Sequence, residues 1–290
     1  MTDNTLNQTL PLLKWPGGKR RVLPELQKYI PKTYNKYYEP FVGGGALFFN
    51  LQPSAAVISD FNGELVNFYA QVKDNHELLI EELQKTKYEN SLENFLDIRK
   101  LDRDADVFAG LTKVERAARM LFLNRTCFNG LYRVNSKNQF NVPFGKYPKP
   151  RIIDKDNLEN VSKLFNQNDV SIVEGSYLAV TSEIKDGGNF VYMDPPYIPL
   201  TATSSFASYT MDGFGSDEQI LLMEEAKRLD GLGNFVLLSN SDTPATRELY
   251  KDFHIKSISV NRSVGASAST RVGVGEVIVL GNTLAQHLAS

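Results

Sequence analysis

Short apolar runs bounded by Gly, Pro, Asn or Asp recur along the chain, with helical stretches between most of them. They predict strands near Tyr37–Glu39, Ala55–Ser59, Val170–Val173, Phe190–Met193, Phe235–Ser239, His254–Val260 and Glu276–Leu280. The first five are separated by longer, mostly helical segments, as right-handed crossovers between parallel strands require. The last two are joined by a polar Ser/Gly-rich connection, which predicts an antiparallel hairpin. The expected fold is α/β: a doubly wound, seven-stranded mixed sheet. About 110 residues separate the second and third strands, far more than a crossover needs. Helical periodicity at Leu78, Leu79 and Leu83, and again at Ala117, Met120, Leu121 and Leu123, fills that gap. It predicts an inserted, mainly helical subdomain at 67–167, within a main domain made of 1–66 and 168–290.

Composition places the chain among ordinary soluble proteins, with 42% hydrophobic and 23% charged residues. Met1 to Leu10 lack the apolar core of a signal peptide, and the longest apolar runs are strand-sized. The single cysteine, Cys127, allows no internal disulfide and has no Cys-His arrangement around it, so it reads as a packing residue in a reducing cytoplasm. The three histidines lack metal-ligand spacing, so no metal is expected. Net charge is −2, but it is unevenly spread. From Lys113 to Arg151 stand nine Lys/Arg and one acid, and from Pro11 to Lys36 seven and one. Such blocks on an otherwise acidic chain predict a polyanion-binding face rather than a merely solvated helix.

Candidate chemistry gathers at strand ends. Asp194-Pro195-Pro196-Tyr197 follows the run Phe190–Met193, in the crevice where open α/β sheets bind ligands. Two prolines fix φ twice and remove two donors, leaving Asp194 and the Pro195 carbonyl as acceptors beside an aromatic ring. That suits a planar group carrying an NH2; a turn with Asp194 as a cap is the plainer alternative. Glu39-Pro40-Phe41-Val42-Gly43-Gly44-Gly45 follows the first strand and opens a helix, and Asp60 ends the second strand. Together they favour a nucleoside-containing cofactor, although Asp60 alone reads equally as a helix N-cap. Lys14-Trp15-Pro16-Gly17-Gly18-Lys19 holds the sole Trp between two lysines. Trp15 reads there either as a core anchor or as part of a binding site.

In these motifs, and in Arg125–Arg133 through Phe140–Gly145, the chain resembles the Dam-type DNA adenine N6-methyltransferases, most closely their GATC-methylating branch. The order of cofactor motif, recognition insertion and catalytic motif is that of the α group of amino-methyltransferases. The resemblance implies the S-adenosylmethionine-dependent methyltransferase fold and transfer of a methyl group to adenine N6 in duplex DNA. It implies Asp194, Pro195, Pro196 and Tyr197 as catalytic. Trp15, Lys19, Glu39, Pro40, Phe41, Gly43, Gly45, Asp60, Ser176, Tyr177 and Asp194 are implied at S-adenosylmethionine, with Lys19 on its carboxylate. On DNA, Arg133 reads a guanine, Leu131 and Pro143 touch inner bases and Lys14 meets the outer guanine. Phe128 wedges into the stack and Asn129 holds the orphaned thymine or its backbone, with Arg125, Asn135 and Lys146 as further contacts. Ser176 stands where the family has an acid, and Arg262–Arg271 lacks the family's Asn-Gly pattern. The rival readings are another methyl acceptor (cytosine N4, RNA or a protein amide) and a non-catalytic DNA-binding regulator. A cognate restriction endonuclease is expected only as a functional partner, not in a stable complex.

Overall fold

A computed structural model describes residues 9–198, 214–258 and 275–290. Seven strands form one sheet: β1 (Tyr37–Glu39), β2 (Ala55–Asp60), β3 (Asp169–Glu174), β4 (Phe190–Met193), β5 (Phe235–Ser241), β6 (His254–Ile258) and β7 (Glu276–Leu280). Their order is β3-β2-β1-β4-β5-β7-β6. β1 pairs in parallel with β2 and β4, and β4 with β5, whereas β7 runs antiparallel to both β5 and β6. The mixed sheet and terminal hairpin match the sequence reading. The strand order reverses between β1 and β4, and ligands in open α/β folds bind beyond the carboxyl ends at such a point. β4 and β7 are buried at every residue, which fits the apolar runs Phe190–Met193 and Val277–Leu280. The expected strand end at Val260 and the Arg262–Arg271 segment lie outside the described residues.

Two compact units emerge. One comprises the chain up to Gly18, Val42–Ser54 and Ser59–Gly175; the other comprises Lys19–Phe41, Ala55–Ile58 and the chain from Ser176 onward. In chain order the helices are α1 (Leu23–Leu26), α2 (Ala46–Leu51), α3 (Gly63–Leu83), α4 (Leu92–Lys100), α5 (Ala105–Ala109), α6 (Lys113–Thr126), α7 (Lys155–Gln167), α8 (Leu178–Thr181), α9 (Ser216–Gly231), α10 (Pro244–Leu249) and α11 (Asn282–Ala289).

In the first unit α3 packs on α6 and α7 around Phe68, Tyr69, Val72, Ala118, Phe122 and Phe165. Local chemistry sets the ends of these helices. Asn62 caps α3 by accepting from Leu65 N–H, and Thr112 with Glu115 forms a reciprocal capping box at the start of α6. In the second unit Tyr177, Val191, Met193, Leu222, Val236, Leu238, Tyr250 and Val277 share one core.

Candidate functional site

The register of β4 against β5 pairs Met193 with Leu238, so the next residues along, Asp194 and Ser239, are neighbours. Ser239 Oγ donates to Asp194 Oδ1 at 2.7 Å, and Lys19 Nζ pairs with the same oxygen at 3.0 Å. The side chains of Lys19 and Asp194 are only 7% and 18% exposed. Burial raises the Asp194 carboxyl above its ordinary range, while Lys19 and Ser239 pull it back down. The Lys19 ammonium, expected at a cofactor carboxylate, holds Asp194 here and lies 4.5 Å from the Tyr197 ring centre.

The rest of the motif is clamped through its main chain. Gln219 Nε2 donates to the Pro196 carbonyl at 2.8 Å, and Asn240 Nδ2 holds Gln219 Oε1 at 3.1 Å. The Ile198 N–H donates to Asn240 Oδ1 at 3.2 Å, and Ser241 Oγ donates to the Ile198 carbonyl at 2.8 Å. No described residue donates to the Pro195 carbonyl, which stays an acceptor next to Asp194. Tyr197 OH donates to Glu276 Oε2 at 3.1 Å, which fixes the ring. Burial pushes that phenol well above its usual range.

At the end of β1, buried Glu39 accepts from Tyr37 OH at 2.8 Å, and buried Pro40 leads to half-buried Phe41. Phe41 stacks on Tyr177 at 5.5 Å and meets Phe214 edge-on at 5.8 Å. Ser176 is exposed, and its carbonyl accepts from Ala179 N–H at the start of α8.

In the first unit the glycine turn has a specific task. Gly43 takes φ +47, and a Cβ there would stand 2.7 Å from Trp15 Cδ1. Gly45 takes φ +65, with the Phe49 ring 2.8 Å from where its Cβ would be. This conformation lets Gly43 N–H donate to Asp60 Oδ2 at 3.0 Å, while Asn62 N–H donates to Asp60 Oδ1 at 2.9 Å. Asp60 is therefore not the cap of α3, which is Asn62. Each carboxylate oxygen takes one of these two backbone donors and keeps lone-pair capacity for a further one. Burial raises this carboxyl too, against those backbone donors. Half-buried Trp15 stacks on Tyr132 at 4.8 Å. A carboxylate able to accept a pair of hydroxyls, beside a glycine turn and the Trp15 ring, has the acceptor chemistry that a ribose requires. Among the described residues no cluster of His, Cys, Asp or Glu could hold a metal ion.

The segment after α6 presents the predicted DNA contacts unevenly. Phe128 and Leu131 are 50% and 38% exposed, and Pro143 and Lys146 are exposed as well. Asn129 takes φ +55, and its N–H donates to Tyr147 OH at 2.9 Å. Lys14 has its backbone gripped by Asn124 and its Nζ 5.6 Å from the Tyr147 ring centre. Exposed Arg133 donates to Asn141 Oδ1 at 2.7 Å. Two expected DNA contacts make internal hydrogen bonds. Arg125 donates to the Leu12 carbonyl at 2.7 Å, and Asn135 Oδ1 accepts from Lys137 and Gln139 N–H, closing a turn. The basic block also carries less free charge than its count implies. Arg116, Arg119 and Arg151 pair with Glu64, Asp102 and Asp154, acids lying outside the block in sequence.

Ser239, Glu276, Gln219, Asn240 and Tyr132 were not singled out from sequence. The run Ser239-Asn240-Ser241-Asp242 closing an apolar strand was the available signal. The model of the D12 class N6 adenine-specific DNA methyltransferase family matches residues 15–264. A Type II methyltransferase of Lactococcus lactis subsp. cremoris is 52% identical over 269 residues, 93% of this chain and 94% of that protein. A Type II methyltransferase of Methanocaldococcus jannaschii is 40% identical over 292 residues, 93% and 98% of the two chains. The DNA adenine methylase of Haemophilus influenzae is 34% identical over 275 residues, 93% of each. Likeness over nearly the whole length fits the mixed sheet and the strand-end carboxylates: the chain belongs to the D12 class of N6 adenine-specific DNA methyltransferases, enzymes that take their methyl group from S-adenosylmethionine.

Proposed function

We propose that the protein methylates adenine N6 within GATC in duplex DNA, acting on an adenine turned out of the stack. The observation that carries the reading is the Asp194 carboxylate, whose donors among the described residues both reach Oδ1, followed by a Pro195 carbonyl to which no described residue donates. An adenine amine is a poor nucleophile because its lone pair is delocalised into the ring. Asp194 Oδ2 and the Pro195 carbonyl accept its two hydrogens, localise the lone pair and orient it; orientation alone lowers barriers by several kcal/mol. Tyr197, held by Glu276, stacks on the base, which cannot reach such a pocket from inside a duplex. S-adenosylmethionine, when bound, supplies an electrophilic methyl on a sulfonium. Asp60 would accept hydrogen bonds from its ribose hydroxyls, and Trp15 would supply an apolar wall.

Residues 67–167 act as the recognition subdomain. Phe128 enters the stack, Asn129 meets the orphaned partner, Leu131 and Pro143 touch inner bases, and Arg133 and Lys14 read guanines. The resemblance of Arg125–Arg133 and Phe140–Gly145 to the GATC-methylating branch supports the site. We place the enzyme in the cytoplasm, with any cognate endonuclease sharing its site rather than bound to it. The test is protection: unmethylated plasmid is incubated with protein and S-adenosylmethionine, then challenged with nucleases sensitive to GATC methylation. Resistance at GATC is expected; methyl groups found at other sequences would overturn the site assignment.

A further inference from the structure

We propose that Ser239 is a positioning residue that directs Asp194, saturating Oδ1 together with Lys19 so that Oδ2 alone meets the target amine. The inference rests on the reading of Asp194 given above and adds a residue to it.

A carboxylate has two chemically equivalent oxygens and rotates about χ2, so by itself it does not define which oxygen faces a substrate. Here the symmetry is broken. Ser239 Oγ and Lys19 Nζ both reach Oδ1, at 2.7 and 3.0 Å, from β5 and from the segment before α1. Among the described residues nothing donates to Oδ2. The arrangement is rigid because Ser239 is 2% exposed and engaged on its other side: Tyr192 OH lies 3.1 Å from Ser239 Oγ. Since the serine proton points to Asp194, Tyr192 donates to Ser239, making a chain from Tyr192 through Ser239 to Asp194. Such chains strengthen their members in a buried setting. Ser239 also sits in a continuous β5, where the strand backbone fixes its Cα to the Asp194 register. The charged and titratable groups around Asp194 are Lys19, Tyr192, Tyr197 and Glu276, and of these only Lys19 pulls its carboxyl down as Ser239 does.

The experiment compares the wild-type enzyme with Ser239→Ala, Ser239→Thr and Asp194→Ala, using a GATC duplex and S-adenosylmethionine. For Ser239→Ala we expect kcat to fall by roughly tenfold or more, as for loss of a hydrogen bond to a charged group. KM for duplex and for S-adenosylmethionine should stay within about twofold of wild type. The acid limb of the kcat profile should move to higher pH, because one of the two donors holding the carboxylate ionised is gone. Ser239→Thr keeps the hydroxyl and should restore both the rate and the limb. Thermal melting checks that the variants are folded. If folded Ser239→Ala keeps its kcat and its acid limb while Asp194→Ala is inactive, the positioning role is overturned and the role of Asp194 survives. If Asp194→Ala itself turns over, the underlying reading fails instead. If Ser239→Thr is folded but behaves like Ser239→Ala, the hydroxyl is not the agent and the proposal falls.

Discussion

Arg119 and Asp102 form a buried ion pair at 2.6 Å, with side chains only 7% and 8% exposed. The pair is stitched into its surroundings. Arg119 Nε donates to the Ile98 carbonyl at 3.0 Å, Asp102 Oδ2 accepts from Phe140 N–H at 2.7 Å, and neighbouring Arg103 reaches the Phe140 carbonyl at 2.6 Å. The pair thereby ties the recognition segment to α6. Asp102→Ala would leave Arg119 buried without its carboxylate, a change that costs about 3–5 kcal/mol. The expected outcome is a clearly lower Tm together with relaxed choice among DNA sites, read by calorimetry and by methylation of a panel of one-base variants. An unchanged melting temperature would show that the pair contributes nothing.

Asp194→Ala removes one acceptor of the target amine and should abolish turnover while leaving specific duplex binding largely intact. More than about a tenth of wild-type turnover, a barrier change under roughly 1.4 kcal/mol, would exclude the proposed role.

The pH dependence follows from the same group. Burial is the largest influence on Asp194 and raises its carboxyl, and the reaction uses the ionised form. Turnover should therefore rise with pH through an acid limb lying above the ordinary carboxylate range, and be lost as pH falls through it. Single-turnover rates across a pH series measure this, and a limb at or below the usual aspartate value would contradict it.

Arg133 and Lys146 should fail in different ways. Arg133→Ala removes a fork able to hold guanine O6 and N7, worth about 1–3 kcal/mol of discrimination, and should flatten the preference for GATC over sites altered at one guanine pair. Lys146, like Lys137 and Lys149, carries a single ammonium suited to phosphate. Lys146→Ala should weaken all duplexes alike and lower the salt slope of binding by about one. If Arg133→Ala lowers every site equally, it is a phosphate contact.

Gly43→Ala should damage cofactor binding more than folding. The new methyl group meets Trp15 Cδ1 at 2.7 Å and the backbone is held at φ +47, a left-handed conformation costing about 1–2 kcal/mol for a residue with a Cβ. Equilibrium dialysis with S-adenosylmethionine should show a loss of affinity, with a drop of only a few degrees in melting temperature. Full affinity would mean that this turn does not shape the cofactor site.

Much of this was legible beforehand because buried parallel strands are written as uninterrupted apolar runs. Parallel β4 begins and ends where its run does, β1 closes on Glu39, antiparallel β7 opens on Glu276, and β2, β3 and β5 extend the predicted strands by one or two polar residues. Ser239 and Glu276 read only as the polar ends of strands, because nothing local marks either as a partner of the site. What gives each its role is a partner 45 or 79 residues away. Charge counting misjudged Arg116 and Arg119 because their partners, Glu64 and Asp102, stand before the basic block and reach it only through packing on α3 and beside α4. For Arg125 and Asn135, expected on DNA from the resemblance, the sequence did not show the internal hydrogen bonds they make. Arg125 reaches the Leu12 carbonyl and Asn135 closes a turn, contacts that only the folded chain brings together.

The grip of α6 on the amino-terminal strand of chain has a practical bearing on how the protein can be handled. Asn124 exchanges hydrogen bonds with both the N–H and the carbonyl of Lys14, and it also reaches the Gly130 carbonyl at the head of the recognition segment. One amide side chain thus serves as a three-way joint between two stretches of chain more than a hundred residues apart. An amino-terminal trimming that stops short of Leu12 leaves that joint closed. One that passes Lys14 opens it and also removes the buried side chains of Leu12 and Leu13, so a shortened protein would lose its packing together with this joint.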